Sequence, residues 1–152
     1  MTKVIEVITP SKNKVYLYGT VWDFVDHKVW NHDKKEWDYL YSSYNELIEM
    51  LHPDVSWTFE MDNDYQGDFF TAGTDGQDWY FIQGSFGSCG GCDWLQSVFD
   101  SSDIGGFLEL LTHYKKTVIV KPSRAELIAY MEQTLQNVSW SRGTLKTLIG
   151  KI

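Results

Sequence analysis

The stretch "VSWTFEMDNDYQGDFFTAGTDGQDWYFIQG" (Val55–Gly84) decides the fold. Val55, Trp57, Phe59 and Met61 alternate with Ser56, Thr58 and Glu60, the period of a strand with one covered and one wet face. "DNDYQG" interrupts the apolar pattern and reads as a turn. "DFFTAG" and "DWYFIQG" then read as strands on either side of "TDGQ", where Asp75-Gly76 supplies the positive-φ chemistry of a tight turn. Strands joined by short turns form an antiparallel meander.

Moving toward the N-terminus, "SSYNELIEMLHP" is a helix. Ser43 and Glu46 form a capping box, Tyr44, Leu47, Ile48 and Leu51 make one apolar stripe, and Pro53 ends it. Before it, Lys3–Ile8 and Lys14–Trp22 are rich in β-branched and aromatic residues and read as strands. A further strand is expected near Phe24 to Trp30, followed by a charged loop. Toward the C-terminus, Asp93 and Asp103 are placed to cap two helices, the second carrying Ile104, Phe107, Leu108 and Leu111 on one face. "TVIV" (Thr117–Val120) is a short strand. Pro122 and the Ser123/Glu126 box open a helix with the stripe Leu127, Met131, Leu135 and Val138. Leu145, Leu148, Ile149 and Ile152 then imply a last amphipathic segment. Strands, a helix, more strands and then mostly helices imply an α+β fold, a meandering antiparallel sheet with helices packed on one face.

The 152 residues suit one domain, 1–152, with enough chain to bury a core. A composition 43% hydrophobic, 22% charged and 16% aromatic excludes low-complexity disorder. No stretch approaches a membrane span and the N-terminus has no apolar leader, so the expected location is the cytoplasm. The net charge is −8, and its distribution says more than its size. From Glu36 to Tyr114 there are fifteen acids and no lysine or arginine, whereas seven basic residues follow from Lys115 onward. A surface of this sign repels nucleic acid and membrane phosphates and attracts basic partners.

"GSFGSCGGCDW" (Gly84–Trp94) holds both cysteines of the chain. Cys89 and Cys92 have the C-x₂-C spacing of half a zinc site, and His27 and His32 have the spacing of the other half. No second cysteine pair exists, and the histidines lie some sixty residues upstream. A thioredoxin-like dithiol is the redox alternative, but Asp93 beside Cys92 would raise the thiol pKa rather than lower it. A strand-to-helix connection accounts for the same residues, with Gly84, Gly87, Gly90 and Gly91 giving the backbone its freedom. That reading is preferred, and no cofactor is expected; zinc on Cys89, Cys92, His27 and His32 is the alternative. "WYFIQGSFGSCGGCDWLQ" also resembles a segment of small uncharacterised proteins of bacteriophages and their bacterial hosts, in which an aromatic strand runs into a GSCxGCD-like motif. The resemblance covers about twenty residues and implies a phage or bacterial origin, hence the host cytoplasm if phage-encoded. It carries no catalytic residue.

Asp62, Asp64, Gln66 and Gly67 imitate the start of a calcium loop, but Gly73 stands where the bidentate glutamate is required, and a polar hairpin turn explains them better. No catalytic residue can be assigned from the scattered histidines or the carboxylates. The expectation is therefore a non-enzymatic acidic interaction protein. It would bind and inhibit a basic protein partner, a nucleic-acid-handling enzyme or nuclease, without itself contacting nucleic acid or membrane. Its candidate binding residues are Asp62, Asp64, Asp68, Asp75 and Asp78, with Trp30 and Trp37 as aromatic anchors.

Overall fold

The computed structural model describes residues 5–9, 11–17, 24–25, 28–39, 43–87, 93–100 and 104–152. Its elements in chain order are β1 (Ile5–Ile8), β2 (Lys14–Leu17), β3 (Phe24–Val25), β4 (Lys28–Asn31), β5 (Glu36–Tyr39), α1 (Tyr44–Leu51), β6 (Ser56–Met61), β7 (Gly67–Thr74), β8 (Trp79–Phe86), α2 (Trp94–Asp100), α3 (Ile104–Lys116), β9 (Ile119–Lys121), α4 (Arg124–Leu135) and α5 (Arg142–Lys151). All described strand pairs are antiparallel, and the class is α+β. The chain divides into two compact units, residues 1–52 with 89–116, and residues 53–88 with 117–152. Among the described residues, no helix is long and apolar enough to cross a membrane.

The second unit is the meander. Its sheet runs β6-β7-β8-β9, and β7 joins β8 in register from Gly67↔Phe86 to Thr74↔Trp79. One face carries Phe70, Ala72 and Phe81. Leu127 and Met131 of α4 and Leu145 and Leu148 of α5 close over them, all 1% exposed or less. Complete burial of a leucine, methionine or phenylalanine side chain contributes roughly 1.5–3 kcal/mol, so this layer is the unit's main source of stability. The Ser123 hydroxyl starts α4, accepting the Glu126 N–H at 3.2 Å while donating to the Glu126 carboxylate at 3.1 Å. The β7–β8 turn has Gly76 at φ +96°, the backbone region that favours glycine. Alternation along β6 is blunted, with Trp57 through Glu60 all half-buried and Met61 exposed. The cause is α5, which packs on β6 and places Lys151 in an ion pair with Glu60.

The first unit holds two small sheets, β1-β2 and β3-β4-β5. Leu47, Ile48 and Leu51 of α1, Leu95 and Val98 of α2, and Phe107, Leu110 and Leu111 of α3 form its buried helical layer. The Ser43 hydroxyl caps α1, and the Asp93 carboxylate caps α2 by accepting the Gln96 N–H at 3.0 Å. The Asp103 cap expected for α3 lies outside the described residues, as do positions 18–22 of the second expected strand.

Two expectations are corrected in this unit. The stretch Phe24 to Trp30 is not one strand. It folds back on itself, with Phe24↔Val29 and Val25↔Lys28 paired. The charged segment after it is not a loop either. Glu36–Tyr39 pairs with Lys28–Asn31 as a hairpin around the turn 32–35. Asp38 is the reason. Its carboxylate, 5% exposed, accepts the Asn31 amide at 2.9 Å and the Asn13 amide at 3.1 and 3.2 Å. The Asn31 side-chain oxygen meanwhile accepts the Asp33 and Lys34 N–H groups, each at 3.1 Å, and shapes the turn. A buried carboxylate is tolerated only with such partners.

Asp38→Ala should therefore lower stability by ~1–3 kcal/mol, since both amides lose their acceptor. Urea denaturation with an unchanged midpoint would show that this network adds nothing. Gly73→Ala should cost a similar amount, ~1–3 kcal/mol, because a β-carbon there would lie 2.1 Å from the Ser56 carbonyl oxygen on the facing strand. A wild-type melting temperature for this variant would mean that the strands separate at no expense.

Candidate functional site

The site is built on the end of the meander where β6 turns into β7. Asp62 leaves β6, and its carboxylate folds back to accept the Asp68 N–H at 2.8 Å. It also accepts the hydroxyls of Ser141 and Thr144, each at 2.5 Å. Ser141 precedes the first residue of α5, yet its side chain makes no capping bond to its own helix. Asp62 supplies negative charge at that helix N-terminus instead, where the partial charge of the unpaired N–H groups favours it. Gly67 leaves the room for this, since a β-carbon there would stand 2.4 Å from the Asp62 carboxylate.

Asp68 joins the same node. Ser141 Oγ lies 2.8 Å from Asp68 Oδ2, and Ser85 Oγ lies 3.1 Å from Asp68 Oδ1. A serine hydroxyl has one proton, so Ser141 serves two carboxylates in turn. Burial pushes the Asp62 carboxyl pKa up, but the hydroxyls of Ser141 and Thr144 and the Asp68 N–H outweigh it and hold the group below the ordinary carboxylate value.

Two open clefts flank this node and share Asp68 and Trp140 as a wall. The first, about 440 Å³, lies between Gln83–Ser85 of β8 and the α4–α5 connection, residues 137–140, with Phe70 and Val138 as its apolar part. The second, about 590 Å³, is lined by Asp64, Tyr65, Gln66 and Phe86. Among the described residues no lysine, arginine or histidine lines either cleft. Trp140 and Tyr65 are 82% and 83% exposed, unusual for side chains of such apolar area.

Asp62, Asp64 and Asp68 are thus brought together, with Asp62 bound internally. Asp75 and Asp78 sit at the opposite end of β7, in the β7–β8 turn. Asp75 is also bound internally. It accepts the Tyr80 hydroxyl at 2.7 Å and the N–H groups of Gln77 and Asp78 at 2.9 and 2.8 Å. These bonds, led by Tyr80, lower the Asp75 pKa, and the same contact pushes the Tyr80 hydroxyl up to about 12. None of the five aspartates forms an ion pair among the described residues. Arg124 and Arg142 instead hold the carbonyls of Ile152 and Leu135.

Trp30 and Trp37 belong to the first unit. They face each other across β4 and β5 with ring centroids 5.2 Å apart, and Trp37 is 43% exposed. Their hairpin carries Lys28, Lys34 and Lys35, so the local charge there is mixed rather than acidic. His32 lies in the hairpin turn, exposed. Cys89, Cys92 and His27 lie outside the described residues, and among the described residues no cluster of metal-ligating side chains occurs.

Tyr65, Trp140, Ser141 and Thr144 were not expected from sequence. The available signals were a tyrosine inside a turn, "DNDYQG", and a tryptophan between two serines, "SWS", off the apolar stripe of either neighbouring helix. No protein-family model, curated protein or solved structure matches the chain.

Because the Asp62 carboxyl titrates below its ordinary value in the folded state, its contribution is present above pH ~4 and is lost as pH falls through the folded pKa. Asp62→Asn should lower the urea midpoint at neutral pH, with the difference from wild type shrinking as the solution is acidified below that range. A difference that is constant across pH would refute the charge-dependent role of this carboxylate.

Proposed function

We propose that this protein is a non-enzymatic binding protein that occupies a basic surface of a protein partner, of the kind that normally grips nucleic acid. On the resemblance around Cys89 and Cys92 it is read as a phage or bacterial factor acting in the cytoplasm. The observation that carries the reading is the pairing of Trp140 and Tyr65, both largely exposed, with Asp64 and Asp68 around clefts that no cationic side chain lines among the described residues. Aromatic side chains bury large area on binding at little entropic cost, and tryptophan and tyrosine dominate interface hot spots. Carboxylates beside them draw in cations and speed encounter. The segment 53–88 that forms most of the surface has seven acids and no lysine or arginine of its own, and of the seven only Glu60 is in an ion pair among the described residues, with Lys151.

Asp64 is the residue to reverse, because among the described residues its carboxylate accepts a hydrogen bond only from the neighbouring Tyr65 N–H. A tagged copy should retain a basic protein from bacterial lysate at low ionic strength and release it as salt rises. With the purified pair, Asp64→Lys should reduce the association rate by about tenfold and change dissociation less. A complex indifferent to salt, or no basic protein retained, overturns the proposal.

A further inference from the structure

We propose that the occupant of the first cleft is an extended, arginine-bearing segment of the partner, which adds as a strand to the outer edge of β8. The inference rests on the binding role proposed above and specifies its chemistry.

The edge is left open by the topology. β9 pairs only with Trp79, Tyr80 and Phe81, whereas β8 runs on to Phe86. Among the described residues no strand lies along the outer side of Ile82–Phe86. Five residues at ~3.4 Å each give ~17 Å of edge, enough for a strand of ordinary length. Backbone groups along such an edge need partners, and natural sheets guard them with lysine, proline, bulges or a covering element. "IQGSF" has neither lysine nor proline. Gly84 at its centre puts no side chain in the way. The 440 Å³ cleft opens over the helix-side face at this end of the sheet, between the 137–140 connection and Gln83–Ser85 with Asp68 and Phe70 of the neighbouring β7, so side chains of a strand added at the edge enter it across Ser85. An open edge with a pocket beside it for alternate side chains is the geometry of strand addition.

Charge selects what enters. Asp68 Oδ1 accepts the Ser85 hydroxyl, and Oδ2 shares the Ser141 hydroxyl with Asp62, so each oxygen accepts at most one. An ionised carboxylate has about four acceptor positions, so one remains on each oxygen, the arrangement that a guanidinium fills with two parallel N–H bonds. The exposed Trp140 ring on the same wall offers a face on which a planar cation stacks. Lysine can use the charge but not the plane. A second copy of this chain pairing through the same edge would bring its own Asp68 and cleft toward this one, which like charges oppose.

The test uses the full chain and a fluorescein-labelled peptide, acetyl-Thr-Arg-Val-Arg-Val-Arg-Thr-amide, at low ionic strength. Two versions are N-methylated on alternate residues, so that one loses the N–H groups facing β8 and the other those facing away. Saturable binding is expected, with the amide resonances of Gln83–Phe86 shifted and protected from exchange. One N-methylated version should bind about tenfold more weakly than the other, since one lost hydrogen bond corresponds to about that factor. Trp140→Ala should weaken the unmodified peptide about tenfold with an unchanged melting temperature, and replacing its arginines by lysines should weaken it severalfold. Equal affinity of the two N-methylated versions, or shifts confined to residues outside 83–86, overturns strand addition and leaves the basic-partner reading intact. Protection of Gln83–Phe86 that grows with protein concentration in the absence of peptide overturns it in favour of self-pairing. Failure of every basic peptide to bind, together with failure to retain a basic partner, overturns both.

Discussion

The Asp62 carboxylate fastens the start of α5 to the turn between β6 and β7, and the rest of the second unit depends on that attachment. Three groups reach it, the Asp68 N–H and the hydroxyls of Ser141 and Thr144. They come from positions more than seventy residues apart in the chain, so forming them fixes the helix relative to the sheet rather than shaping either one locally. With the N-terminus of α5 held, Leu145 and Leu148 fall onto Phe70 and Phe81, and Lys151 at the far end reaches Glu60. The connection before α5 is positioned by the same attachment. Trp140, the residue next to Ser141, therefore stands beside Asp68 and in solvent instead of joining the core.

The same constraint decides which acids remain for a partner. An excess of negative charge destabilises a compact chain through self-repulsion, and internal hydrogen bonds to ionised carboxylates offset it. Asp62, Asp75 and Asp38 are used in this way, the first two accepting three N–H or O–H groups each and Asp38 two side-chain amides, in turns and between segments. Asp64 and Asp68 keep acceptor capacity at the surface. The charge excess of the sequence is thus partly architecture and partly exposed field, and the proposed docking cleft lies where the exposed part meets Tyr65 and Trp140, the two most exposed large aromatic side chains among the described residues.

Sequence reasoning reached the elements well where period and capping agree. The three central strands, the Ser43 and Ser123 caps, the stripe of α1 and Leu127, Met131 and Leu135 of α4 are local patterns found in place, whereas Val138 falls beyond the end of α4. It failed at β5, where "EWDY" has too short an alternation to signal a strand and is held by the long-range contacts of Asp38 with Asn13 and Asn31. For the site, Asp64 and Asp68 were legible as acids in a turn. Their neighbours Trp140, Ser141 and Thr144 were not, because nothing in the residues around position 140 points to a turn nearly eighty positions upstream.

What the sequence determined by itself is the antiparallel α+β class, the starts of α1, α2 and α4 and the absence of cations between Glu36 and Tyr114, because these follow from residue type and short spacing. The tertiary structure alone decided which aspartates are consumed internally, which tryptophan faces solvent, and that β9 stops short of the end of β8. Those outcomes depend on how distant segments compete for the same hydrogen-bonding groups and the same apolar surface, and that competition is settled only when the segments meet.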